Sequence, residues 1–257
     1  MKLIKTLIVF IFACGLLFCP KDSFVYGQKI RVAVSANASF VTQALKKGFE
    51  RKNKAKIELV VSSSGKLTAQ ISHGAPYDIF LSADMKYPDN LYNAGYSLNK
   101  TRVYAIGSLV LWTLKNNKID KGLECLKSAS IKTIAVANPA TAPYGAAAIQ
   151  ILKKLGIYAA IKNKIVYGES ISQVNQYLVS GVADAAFTAK SVVKSPDLNG
   201  KGKWIEVAAD LYSPIRQGVV LLKHASENNP GSVRAFYKYL FTTEGKSIFK
   251  SYGYIVP

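Results

Sequence analysis

Residues 30–39 read Ile30-Arg31-Val32-Ala33-Val34-Ser35-Ala36-Asn37-Ala38-Ser39. A short β-branched run breaks into small polar residues, and a long amphipathic stretch follows. This is how a buried strand hands over to a helix in an α/β protein. The pattern recurs. Residues 57–61 lead into Ser62-Ser63-Ser64-Gly65-Lys66, and residues 134–136 into Asn138-Pro139-Ala140-Thr141-Ala142-Pro143-Tyr144-Gly145. Taken singly, each loop fits an ordinary capped helix start. Together they offer several helix N-termini, whose unpaired N–H groups and positive dipole ends favour an anion. Helix starts aimed at one point would form a cage for an oxyanion.

Outward from these loops, short apolar runs alternate with longer amphipathic ones. Strands are expected at residues 30–34, 57–61, 78–81, 134–136, 164–167 and 184–187. Helices are expected at 40–52, 66–73, 86–94, 145–155, 171–180 and 231–241. Thr243 is read as the N-cap of a last helix ending at Gly253. Two further apolar stretches, 109–114 and 218–222, read as crossings between two lobes. The expected fold is therefore α/β and two-lobed, each lobe an open, mostly parallel sheet flanked by helices. Lobe one would comprise residues 28–110 and 216–257, and lobe two residues 111–215. A ligand would sit in the cleft, outside the carboxyl ends of strands from both lobes.

The first 27 residues differ from the rest. Lys2 and Lys5 precede an apolar run over residues 7–18, followed by Val25-Tyr26-Gly27. This reads as a secretory signal cut before Gln28, and the run falls short of the ~20 residues that span a bilayer. Cys14 and Cys19 leave with it, and neither has a small-residue pair ahead of it, so lipid anchoring is the weaker reading. Of three cysteines only Cys125 remains, enough for neither an internal disulfide nor a metal site. The chain carries 34 Lys and Arg against 15 Asp and Glu, a net charge of +19, which attracts anions. The lysines are scattered, without the aromatic-basic motifs of nucleic-acid binding.

Conventional catalytic equipment is absent. His73 and His224 are the only histidines and have no triad or metal spacing. Ser63-Ser64-Gly65-Lys66 is formally Ser-x-x-Lys, but no Lys-Thr-Gly accompanies it. There is no Walker loop and no dinucleotide fingerprint. The expectation is a binding protein without enzymatic activity and without a cofactor.

The pieces Val32-Ala33-Val34-Ser35-Ala36-Asn37, Ser63-Ser64-Gly65-Lys66-Leu67 and Ala142-Pro143-Tyr144-Gly145 are joined by Gly74-Ala75-Pro76-Tyr77-Asp78-Ile79-Phe80-Leu81-Ser82-Ala83-Asp84. In this order, and with the most specific piece at 74–84, the chain resembles the periplasmic molybdate-binding proteins of molybdate ABC transporters. The resemblance implies a tetrahedral oxyanion, molybdate or tungstate, held by neutral hydrogen-bond donors. Molybdenum would enter only as that oxyanion. The ligand set it implies is Asn37, the Ser64 hydroxyl, the backbone N–H groups of Tyr144 and Ile171, and Thr188, where part of the family has tyrosine. It further implies a periplasmic monomer that serves an inner-membrane permease and binds no nucleic acid. The same architecture also serves sulfate, phosphate or a ferric complex. A donor-only cage would disfavour phosphate, which keeps a proton near neutral pH. That discrimination weakens if Asp78, Asp84 or Glu169 points inward.

Overall fold

The computed structural model describes residues 29–115, 119–227 and 230–257. The segment read as a signal lies outside them. Two five-stranded sheets organise the chain. The first has the order β2-β1-β3-β10-β4, built from β1 (Lys29–Ser35), β2 (Lys56–Ser62), β3 (Ile79–Leu81), β4 (Arg102–Gly107) and β10 (Ile215–Leu221). β1 runs parallel to β2 and β3, and β10 is antiparallel to both β3 and β4. The second has the order β7-β6-β8-β5-β9, from β5 (Leu109–Thr113), β6 (Ile134–Ala137), β7 (Ile165–Gly168), β8 (Ala185–Ala189) and β9 (Lys203–Glu206). Here β6 is parallel to β7 and β8, while β5 is antiparallel to β8 and β9. Each sheet thus has three parallel strands and an antiparallel pair at one side.

Strand pleat explains why both faces are covered. Val32, Val34, Ile79 and Leu81 point to one face of the first sheet and meet Val41, Leu45 and Phe49 of α1 (Ser39–Glu50). They also meet Phe236 of α8 (Pro230–Tyr239) and Phe249 of α9 (Thr243–Ser251). Ala33 and Phe80, one residue out of phase, meet Leu67 and Ile71 of α2 (Ser64–Ser72) and Leu91 of α3 (Lys86–Asn93) on the other face. Period-2 alternation with two covered faces yields the near-continuous apolar strands seen here. Burial of each such Val, Leu or Phe stabilises by about 1.5–3 kcal/mol. The second sheet packs Trp112, Val136 and Phe187 into its own core with α4 (Pro143–Lys154) and α6 (Ile171–Val179).

Both stretches expected as crossings are strands internal to one sheet. The chain changes sheets just ahead of them, at Ser108 between β4 and β5 and at Ser213-Pro214 before β10. Their apolar character reflects burial inside a sheet rather than a hinge. The last helix is capped by Thr242 and not Thr243: the Thr242 hydroxyl accepts from the Gly245 N–H at 3.2 Å. Between β8 and β10 the short α7 (Lys190–Val193) and β9 add elements not expected from the sequence. So does α5 (Tyr158–Ile161), between α4 and β7. Among the described residues no helix is long and apolar enough to cross a membrane.

Candidate anion-binding site

Three helix N-termini and one tight turn meet where the lobes face each other. From the first lobe come the Ala36–Ala38 turn after β1 and the start of α2 after β2; from the second come the starts of α4 after β6 and α6 after β7. They enclose a small cavity lined by Ser35, Ala36, Asn37, Ser63, Ser64, Ala83, Ala142, Pro143, Tyr144 and Ile171. Its volume is about 10 Å³. Pockets that hold drug-sized organic ligands measure roughly 300–1,000 Å³, so the cavity leaves room for no more than one compact ion.

The lining carries no charge. None of α2, α4 and α6 has an acidic residue in its first turn, and α4 and α6 have no side-chain cap on their N-terminal N–H groups. Ser64 and Ile171 are the first residues of their helices and Tyr144 the second. At these positions the N–H has no partner within the helix. Pro143 at the first position of α4 sacrifices only a donor that would be unpaired anyway.

Two hydroxyls complete the donor set. Ser35 Oγ and Ser64 Oγ lie 2.5 Å apart, and the Ala83 N–H donates to both, at 3.1 and 3.0 Å. One hydroxyl hydrogen is shared between the two oxygens. The other is left for an anion in the cavity. Ser35 and Ala83 were not singled out from sequence, although Ser35 belongs to the first loop and Ala83 to the 74–84 block.

Four of the five expected ligands are brought together, and one is not. Asn37, Ser64, Tyr144 and Ile171 line the cavity. Thr188 is absent from its lining: it is buried within β8, and its hydroxyl donates to Asn175 Oδ1 at 2.7 Å. A side chain this short satisfies a neighbour on α6 instead of reaching the cleft. The Asn37 amide donates to Gln217 Oε1 at 2.9 Å and to Tyr254 OH at 3.4 Å. What its loop offers the cavity is therefore backbone.

No carboxylate lines the cavity. Asp78 is fully buried elsewhere, accepting from the Arg31 N–H and from His224 Nδ1, both at 2.8 Å. Asp84 accepts from Ser82 Oγ and the Tyr87 N–H, and burial pushes its pKa up. Glu169 pairs with Lys66 across the lobes. Lys66 is thus the partner of an acid on the opposite lobe. Both are about half exposed, so the pair contributes little.

Further contacts hold the lobes together. The Gly65 N–H donates to Thr141 O at 3.0 Å, and the Tyr87 hydroxyl to Ala140 O at 3.0 Å. A Cβ at residue 65 would sit 2.9 Å from the Tyr87 hydroxyl and 3.0 Å from the Thr141 backbone, so the close approach favours glycine. Deeper in, Ser191 Oγ donates to Asn37 O at 2.7 Å and Gln217 Nε2 to Tyr144 OH at 3.0 Å. Burial pushes the phenols of Tyr104 and Tyr144 well above their usual pKa, and that of Tyr254 up to about 12. All three stay protonated, and this layer under the cavity is neutral.

Comparison with known proteins shows the family of the chain. The chain is 38% identical over 242 residues to the molybdate-binding protein ModA of Azotobacter vinelandii, covering 93% of each. It is 36% identical over 228 residues to ModA of Rhodobacter capsulatus, covering 88% of each. The structure superposes on that of the Azotobacter vinelandii periplasmic molybdate-binding protein with a TM-score of 0.83 at 32% identity, covering 89% of this chain and 99% of the other. The sulfate-binding protein SubI of Mycobacterium tuberculosis shares the fold at a TM-score of 0.73 and 12% identity. Residues 30–255 match the family described as bacterial extracellular solute-binding protein, and the chain belongs to that family.

Proposed function

We propose that this protein captures molybdate, and with it tungstate, in the cavity between its lobes and delivers the ion to an ABC permease in the inner membrane. It does so as an exported monomer, without catalysis and without a cofactor. The observation that carries the reading is an uncharged cavity of ionic size at the convergence of three helix N-termini. A dianion gives up its hydration on entering and regains it from short, charge-assisted hydrogen bonds. The donors assigned to it are the Ser64 hydroxyl, with Ser35 beside it, the backbone of the Asn37 turn, and the N–H groups of Tyr144 and Ile171. Thr188 supports this set from behind, through Asn175.

Donors alone fit a fully deprotonated ion. Phosphate near neutral pH carries a proton that needs an acceptor, and the lining offers no carboxylate. Sulfate has the right charge and must be refused by size. Lobe closure buries the ion, and the closed shape is what the permease reads.

Calorimetric titration of ion-free residues 28–257 with molybdate, tungstate, sulfate and phosphate tests this. One-to-one binding of the first two with the others silent is the expected outcome. A response to sulfate or phosphate alone would overturn the ligand. Silence toward all four would overturn the anion cage.

A further inference from the structure

One buried side chain ties together three members of the layer beneath the cavity. Gln217 is fully buried. Its Oε1 accepts from the Tyr104 hydroxyl at 2.6 Å and from the Asn37 amide at 2.9 Å, both within the first lobe. With both lone pairs filled, its remaining capacity is as a donor. Nε2 donates at 3.0 Å to the hydroxyl of Tyr144, which belongs to the second lobe. Two local features serve this contact. The β10–β4 register slips between Gln217 and Gly218, a bulge of the kind that re-aims a side chain. Gly107, at the end of β4, leaves the space: a Cβ there would fall inside van der Waals contact with both Tyr144 OH and Gln217 Nε2.

We propose that the Tyr144 hydroxyl and the Gln217 amide form a closure latch that sets how long a captured ion is held. The proposal rests on the anion-capture reading above. Gln217 acts as a positioning residue, through Tyr144 and Asn37, and makes no contact with the ion. When the lobes part, Tyr144 OH and Gln217 Nε2 separate and return to water. The bond therefore favours only the closed state and shifts the opening equilibrium by its own net strength. Ion entry precedes its formation, so association is unaffected while escape, which needs opening, is slowed. Tyr144 then serves twice: its backbone N–H faces the ion and its hydroxyl reports that the other lobe has arrived.

Tyr144→Phe removes one oxygen and keeps the backbone donor. Gln217→Met keeps the volume and removes the amide. Wild type, each single variant and the double variant are loaded with isotopically labelled molybdate and chased with unlabelled molybdate. Tyr144→Phe is expected to release the label roughly three- to tenfold faster, the effect of one neutral hydrogen bond, and Gln217→Met, which also strips the Tyr104 hydroxyl and the Asn37 amide of their acceptor, at least as fast. Association rates should stay within about twofold, and the double variant should release no faster than the faster single one, because both remove the same bond. The melting temperature of ion-free Tyr144→Phe should equal wild type, since the bond is absent with the lobes apart; a merely structural tyrosine would lower it. Should Gln217→Met fail to fold, Gly107→Ala, which crowds both partners, replaces it with the same expected outcome. Release from Tyr144→Phe at the wild-type rate, or effects that multiply in the double variant, would overturn the latch while leaving anion capture intact. Failure of wild type to take up the label before the chase would overturn the capture reading and the latch together.

Discussion

At Ser64 a single hydroxyl stands between the Ser35 oxygen, the Ala83 N–H and the cavity. Taken alone, a serine at a helix start after a strand reads first as a cap, and it is the family resemblance that singles out Ser64. Tyr144 and Ile171 likewise rest on the resemblance: they contribute backbone, and backbone N–H groups at helix starts are available whatever the side chain, so nothing in their own chemistry marks them. Gln217, Ser191 and Tyr254 were not readable. Gln217 and Tyr254 meet Asn37 across 180 and 217 residues of chain, and nothing local marks them. Thr188 was a position carried over from relatives in which a longer side chain stands, and length decides whether it reaches the cleft. Ser64→Ala should weaken molybdate binding by about 1.5–3 kcal/mol, the worth of one hydrogen bond to a charged group. Calorimetry checks it, and an unchanged Kd would remove Ser64 from the donor set. The ion-free fold should suffer less, because Ser35 Oγ still accepts from Ala83.

Elements were legible where one period dominates. The strands at 29–35, 56–62 and 134–137 and the helices at 39–50, 143–154 and 171–179 lie within a few residues of expectation. β4 and β9 are outer strands without a clear apolar run: β4 mixes exposed and buried residues, and β9 has only partly buried and exposed ones. β5 and β10 were seen as apolar but misread as crossings, since full burial erases the alternation that marks a strand. One junction between elements is held by charge. Asp184, just before β8, accepts the N–H groups of Lys132 at 2.7 Å and Thr133 at 2.9 Å and pairs with Lys115, which fastens β8 to the chain ahead of β6. Burial acts to raise its pKa, but Lys115 and the two N–H groups outweigh it and hold the carboxyl below its usual value. A carboxyl depressed in the folded state stabilises above its unfolded pKa of about 3.9, and that contribution fades as pH falls through the lower folded value. Asp184→Asn should therefore be less stable than wild type in urea at pH 7, and the gap should narrow as pH falls below about 4. A gap independent of pH would show that the carboxylate charge is not what holds this junction.

Across the whole molecule the two sheets repeat one plan, three parallel strands and an antiparallel pair, with the helix starts at the carboxyl ends turned toward the same cavity. The chain carries a net charge of +19, while the lining of that cavity is uncharged. Long-range attraction of anions is thereby separated from the neutral contacts that select one. The position of β10 has a different consequence. It lies between β3 and β4, paired with both, yet follows them in the chain by more than a hundred residues. The first sheet therefore cannot assemble until nearly all the chain is available. The second, drawn wholly from residues 109–206, needs only contiguous chain. Loop-closure entropy favours the contiguous half as the earlier to organise. In refolding followed by pulsed hydrogen exchange, amides of β5, β6 and β8 should gain protection before those of β1 and β3. Simultaneous protection would mean that the halves assemble as one unit. In the expected order, the half that supplies Tyr144 and Ile171 is a finished template against which the Asn37 and Ser64 half completes itself.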